Sequence, residues 1–264
     1  MTIAKSAFGP LGAPVLENRA FAVLKRLLLV AALLAIAHPA RAEPSAALCA
    51  AAKKDVGADS LLAAEVAATF GKESDCLYPL KALRYASADV LLVQAGEPGE
   101  GCHGCGAPLS AYVLKRVGGG FKTVAKFRQF AELGTNGAVG DIWPIEIDGD
   151  DAMAIESGGT FQGYTSSRLD FFAFRAGALV DLEPKPPVVL DADNEGASED
   201  ASKAISVAAS WFFDPTDKTA LVVDYKIDAK GATRVERVVW RLQDGKLVLS
   251  RGRVPPEVTE ASGG

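Results

Sequence analysis

Strict two-residue alternation is the feature that most limits what this chain can become. Phe121, Thr123, Ala125 and Phe127 alternate with Lys122, Val124, Lys126 and Arg128. Further on, Leu221, Val223, Tyr225 and Ile227 alternate with Val222, Asp224, Lys226 and Asp228. Successive side chains of a strand point to opposite faces, so this pattern makes half-buried strands and not helices. The body after Cys76 is expected to be antiparallel β.

The strands recur in a common order. Ala88 to Ala95, Asp151 to Ser157 and Thr219 to Ile227 each read as an apolar strand, followed by a polar loop and a second strand that enters a tight hairpin. Those hairpins span 114–124, 174–180 and 240–248, and each carries an apolar residue, a basic residue and a glycine turn. Glycine supplies the positive φ that tight hairpins demand. Sliding the second unit by 68 residues lays Trp143 on Trp211 and the following strands on each other. The expectation is a mainly β fold of three consecutive four-stranded antiparallel meanders, built either as blade-like repeats or as a β-sandwich. The hairpins resemble blades of β-propeller proteins, although three blades are too few for an ordinary closed propeller.

Before this body, the Ala-rich stretch from Pro44 to Gly71 places Leu62, Val66 and Phe70 on one helical face, so 43–76 is read as a short helical segment. Between the second and third units, 183–200 holds Pro184, Pro186 and Pro187 and then five acidic residues. It reads as a long surface loop or a linker between lobes.

The first 42 residues read as a signal peptide. Eleven apolar residues, Leu27 to Ala37, follow Lys25-Arg26 and precede Ala40-Arg41-Ala42. That run is shorter than the ~20 residues a membrane span requires. Cleavage after Ala42 leaves Glu43 as the first mature residue, with no cysteine there to carry a lipid. The 24 residues before Lys25 are unusual for such a peptide, and a translation start at Val23 accounts for them. The expected location is periplasmic or secreted, without membrane insertion once the signal is removed.

Taking 1–42 from the chain's 28 basic and 33 acidic residues removes five and one, leaving 23 against 32 and a net charge of −9. No Lys/Arg run longer than two follows Ala42. Nucleic acids and anionic membranes are bound through basic patches, so both are excluded as partners. His103 is the one histidine beyond the signal peptide, which excludes multi-histidine zinc sites and leaves hydrolytic triads a single candidate base.

Four cysteines in an exported chain are expected to be oxidised as Cys49–Cys76 and Cys102–Cys105. The first bridge would tie the helical segment to the sheet. Cys102-His103-Gly104-Cys105 differs from a haem-attachment motif, which needs histidine where Gly106 stands, and from a thioredoxin-like site, which needs a helix N-terminus. A structural disulfide is expected, with redox work or a soft metal such as copper as the alternative. Asp191, Asp193, Glu195 and Glu199 have the spacing of Ca²⁺-loop ligands, but Ser202 stands where a bidentate Glu is required. A solvated acidic loop is therefore expected there.

The loops between second and third strands, 96–108, 158–167 and 228–233, are expected on one side of the sheet. His103, Phe161 and Tyr164 among small residues suit ligand recognition. Function is read as non-enzymatic binding of an envelope protein or a small ligand, with no cofactor. The alternatives are a thiol or metal protein centred on Cys102 to Cys105, and an envelope-maintenance factor without a ligand.

Overall fold

The computed structural model describes residues 77–96, 98–99, 102–198 and 203–262. The signal peptide, the helical segment 43–76 and the Cys49–Cys76 bridge lie outside the described residues. So does Glu199.

What is described is mainly antiparallel β, in two sheets. The first has the order β1 (Leu77–Arg84), β2 (Asp89–Ala95), β3 (Ala107–Val117) and β4 (Gly120–Leu133). The second contains β5 (Ile142–Ile147), β6 (Asp150–Phe161), β7 (Tyr164–Arg175), β8 (Ala178–Asp181), β9 (Val188–Asp193), β10 (Ile205–Asp214), β11 (Asp217–Ala229), β12 (Ala232–Gln243) and β13 (Lys246–Arg251). Its order is β13-β12-β11-β10-β9-β7-β6-β5, with β8 beside β7. Most turns are two-residue reversals in which both central residues have positive φ, such as Gln162 (51°) with Gly163 (84°) and Ala176 (48°) with Gly177 (80°). Turns of this hand match the twist of paired strands, which is why the glycine positions read as hairpins.

The long 183–200 loop requires correction. Residues 188–193 form β9, whose neighbours are β7 on one side and β10 on the other. Acidic side chains on alternate positions disguised a strand that neighbours pair on both edges. Far from separating lobes, this strand joins the last two groups of strands into one sheet.

That sheet closes on itself. Leu182 donates its backbone N–H to Phe171 O of β7 at 2.9 Å and accepts from Leu247 N of β13 at 2.8 Å. Lys185 extends the contact, donating to Leu247 O and accepting from Leu249 N. With these bonds made, no run of backbone groups is left open along β13 at this point. Inside the ring lie Phe171, Val188, Leu221, Val223, Tyr225, Ile227, Val238 and Trp240, all with essentially no exposure. The Trp240 indole donates to Pro186 O at 3.0 Å, so its one polar group is paired within an apolar interior. Burial also pushes the Tyr225 hydroxyl above its ordinary pKa, with the Val189 backbone partly offsetting this. A short helix, α1 (Pro256–Ala261), packs against β7, β9 and β10 through Val258 and Ala261.

Strands β6 and β7 are buried on both faces. Ala152, Ala154, Leu169 and Phe171 face the ring interior, whereas Met153, Ile155 and Phe172 pack against the first sheet through Leu83, Val90, Leu92, Leu109 and Ala111. This is why 152–155 reads as an unbroken apolar run and does not alternate. Phe130 meets Phe172 edge-on at 5.0 Å, and the Tyr85 hydroxyl donates to Ala152 O at 2.7 Å, pinning one sheet on the other.

The 68-residue slide also needs adjustment at its tryptophans. Trp143 pairs with Ala154 and Trp211 with Val223, one residue beyond the position that the slide predicts. That offset holds along β10 from Ile205 to Phe213, after which the register shifts. Trp143 and Trp211 are thus not equivalent residues; they meet edge to face at 5.6 Å as parts of one core.

Candidate functional site

Four chain segments converge beyond the ends of β2, β3, β6 and β7. The first runs from Gly96 towards β3. Its Cys102 and Cys105 form a disulfide with Cα atoms 5.0 Å apart, and the Cys105 N–H donates to Cys102 O at 2.9 Å. The bridge closes a four-residue turn and leaves His103 exposed at its apex. A ring this small restricts the unfolded chain little, so its chief effect is to fix the direction of that turn.

The second segment follows β4. Thr135 and Ala138 pair through two backbone bonds around Asn136 and Gly137, both at positive φ. It is tied to the first by Gly137 N donating to Cys105 O at 2.9 Å. Gln94 stitches them again: it is 1 % exposed, and its Nε2 donates to Gly96 O at 3.2 Å and to Gly137 O at 2.9 Å.

The third segment is the tip of the β6–β7 hairpin, and here the expected long loop is replaced by strand. Pairing continues to Phe161 and Tyr164, leaving Gln162-Gly163 as the turn. Thr135 Oγ1 donates to Gly158 O at 2.7 Å, and the close approach of the Thr135 side chain leaves no room for a Cβ on Gly159. The fourth segment, a single 3₁₀ turn over Glu195–Ala197, packs its Gly196 backbone against Gly163.

The structure brings His103 and Phe161 together. Their rings meet edge to face at 4.9 Å, and His103 Nε2 donates to Thr160 O at 3.1 Å. Phe161 is still 44 % exposed. Tyr164, its cross-strand partner, is half-buried. The result is an aromatic patch, open to solvent on one side and held from behind by strands and a disulfide. The partners shown for His103 are the Thr160 carbonyl and the Phe161 ring.

The acidic residues fall differently. Asp191 and Asp193 lie on β9, and Asp193 Oδ1 accepts from Glu195 N at 3.3 Å, which makes a local turn. Partial burial, with repulsion from Glu156 second, holds the Asp191 carboxyl above its ordinary pKa. Among the described residues no group of three or more His, Cys, Asp or Glu is placed to hold a metal ion. The 228–233 loop is a two-residue turn at Lys230-Gly231, with Thr233 bonded to Asp228, and nothing described brings it to the His103 patch.

Sequence reasoning missed Gln94, Thr135 and Thr160, the residues that hold the patch together. Asn136-Gly137 was a legible turn signal. The roles of Gln94 and Thr160 carried no signal, because each depends on a segment more than forty residues away.

Comparison with models of known families, with curated proteins and with solved structures gives no match. No helix among the described residues is long and apolar enough to cross a membrane.

Proposed function

We propose that the chain is an exported, non-enzymatic binding protein, periplasmic or secreted. Its β-scaffold presents the His103, Phe161 and Tyr164 surface to an envelope protein or a small ligand. The observation that carries this reading is the meeting of His103 with Phe161 on an exposed patch whose backbone is tied by strands, by the Cys102–Cys105 bridge and by Gln94. Rigid placement of an exposed aromatic lowers the entropy lost on binding, and such residues dominate recognition surfaces.

The test uses the mature protein, expected to begin at Glu43. A photoactivatable amino acid placed at Phe161 in cells should capture a specific component, and one placed at Gly119, in the β3–β4 turn, should not. Replacing Phe161 and Tyr164 together with Ala should abolish that capture while stability changes by only about 1 kcal/mol, since neither ring is fully buried. Capture at Gly119 alone, or an uncleaved segment 27–37 in the mature protein, would overturn the proposal.

The finer architecture belongs to the same proposal. Strands β1–β4, β5–β8 and β10–β13 are read as three copies of one meander. A 68-residue slide carries β7 onto β12 and the start of β8 onto that of β13. The slide also carries Met153, Ile155 and Phe172, which pack on the first sheet, onto Leu221, Val223 and Trp240, which pack on the second group. Each unit thereby turns the corresponding face towards the unit before it, as copies stacked in series do.

A further inference from the structure

Stacking in series leaves one face over. The face that β6 and β7 turn into the ring through Ala154 and Phe171 corresponds, by the same slide, to Val222 and Val239 of the last unit, and there it points outward. It forms the floor of a groove of about 440 Å³ that also contains Phe212 and Ala220. Val222 pairs with both Phe212 and Val239, so the three side chains make one apolar row across β10, β11 and β12.

The rim is what distinguishes this face. Arg237 and Arg241 stand where the preceding unit has the buried Leu169 and Ala173, and Arg251 closes the row beside Val239. Arg237 is committed: it makes a two-pronged pair with Asp224 at 2.6 and 2.7 Å, and its guanidinium lies 6.0 Å from the Phe212 ring centre. Arg241 meets Asp217 through Nη1. Arg251 is exposed and has no acidic partner among the described residues. The acid that also lines the groove, Asp214, has one oxygen occupied by the Thr216 amide and hydroxyl, at 2.8 and 2.7 Å.

We infer that this groove is a second binding site, separate from the His103 patch, for a small amphipathic carboxylate. Its aliphatic or aryl tail lies on Phe212, Val222 and Val239, and its carboxylate faces the Arg251 guanidinium. The volume falls in the range of small-molecule sites, which combine an apolar lining with a few placed polar groups. Arginine's planar fork matches a carboxylate with two parallel donors, and a guanidinium without an internal partner is free to supply them.

Octanoate titrated into the mature protein, followed by methyl resonances of Val222 and Val239, tests this directly. Saturable shifts at both valines are expected. Octanamide, with the same tail and no charge, should bind at least about tenfold more weakly. Arg251→Gln should lose a similar factor for octanoate with an unchanged melting temperature, and 0.5 M salt should weaken binding by screening. Shifts that stay linear without saturating, or equal affinity for octanoate and octanamide, would overturn the inference. The octanamide comparison uses the wild-type chain, so it decides the matter even if the Arg251 variant folds poorly.

Discussion

Trp240→Ala is expected to cost about 4 kcal/mol of stability, which is the scale for emptying a buried tryptophan site. Trp240 is fully buried in the ring interior, and its indole donates to Pro186 O across the segment that closes β13 against β7. The substitution therefore opens a cavity and removes the hydrogen bond to Pro186 at once. In a domain of this size the melting temperature should fall by roughly 8–16 °C. Urea unfolding should show a lower midpoint with an unchanged slope, since the surface exposed on unfolding is the same. Trp240→Phe separates the two causes: it keeps most of the ring and loses the donor, and should cost about 0.5–1.5 kcal/mol. A loss under 1 kcal/mol for the alanine variant would show that the ring is not closed around this residue.

Gly134→Ala is expected to be nearly as damaging, through the backbone. Gly134 sits at φ 79°, and a Cβ there would lie 1.8 Å from Ala138 O. The left-handed conformation alone costs a non-glycine residue about 1–2 kcal/mol. Moving the Ala138 carbonyl away brings the total to roughly 3 kcal/mol. Gly118→Ala is the control, since Gly118 also has positive φ but a Cβ there meets nothing within 4 Å. It should show the conformational cost alone. The damage at Gly134 should also be local to the His103 patch, because the same short loop carries the Thr135 bond to Gly158 and the Gly137 bond to Cys105. Hydrogen exchange at the Gly137 amide should accelerate in Gly134→Ala and remain as in the wild type in Gly118→Ala.

The Gly134 contrast shows why the candidate site was only partly readable in advance. His103 and Phe161 stood out as exposed groups among small residues, and Cys102 and Cys105 as a bridge, from local composition alone. That the histidine would lie against the phenylalanine, and that Gln94 and Thr135 would hold the two segments in place, depends on contacts between residues distant in the chain. The Arg251 groove was less legible still. Arg237, Arg241 and Arg251 alternate with apolar neighbours as solvent-facing residues of any strand do, and only the register of β10 to β13 sets them around one apolar row.

By itself the sequence determined the antiparallel β character, the hairpin positions and the Cys102–Cys105 bridge. These follow from a period of two, from glycines at positive φ and from cysteines three residues apart, all of which act within a few residues. Tertiary structure alone decided that 188–193 is a strand, because Asp191 and Asp193 carry no strand preference and become strand residues only when β7 and β10 pair with both edges. It also decided which face of each hairpin is core. A shift of one residue in register reverses every side chain of a strand, and the β10–β11 register that pairs Trp211 with Val223 puts Trp211 on the core face against Trp143, while Val222 and Val239 alternate with the core residues Leu221, Val223, Val238 and Trp240 and so lie on the other face.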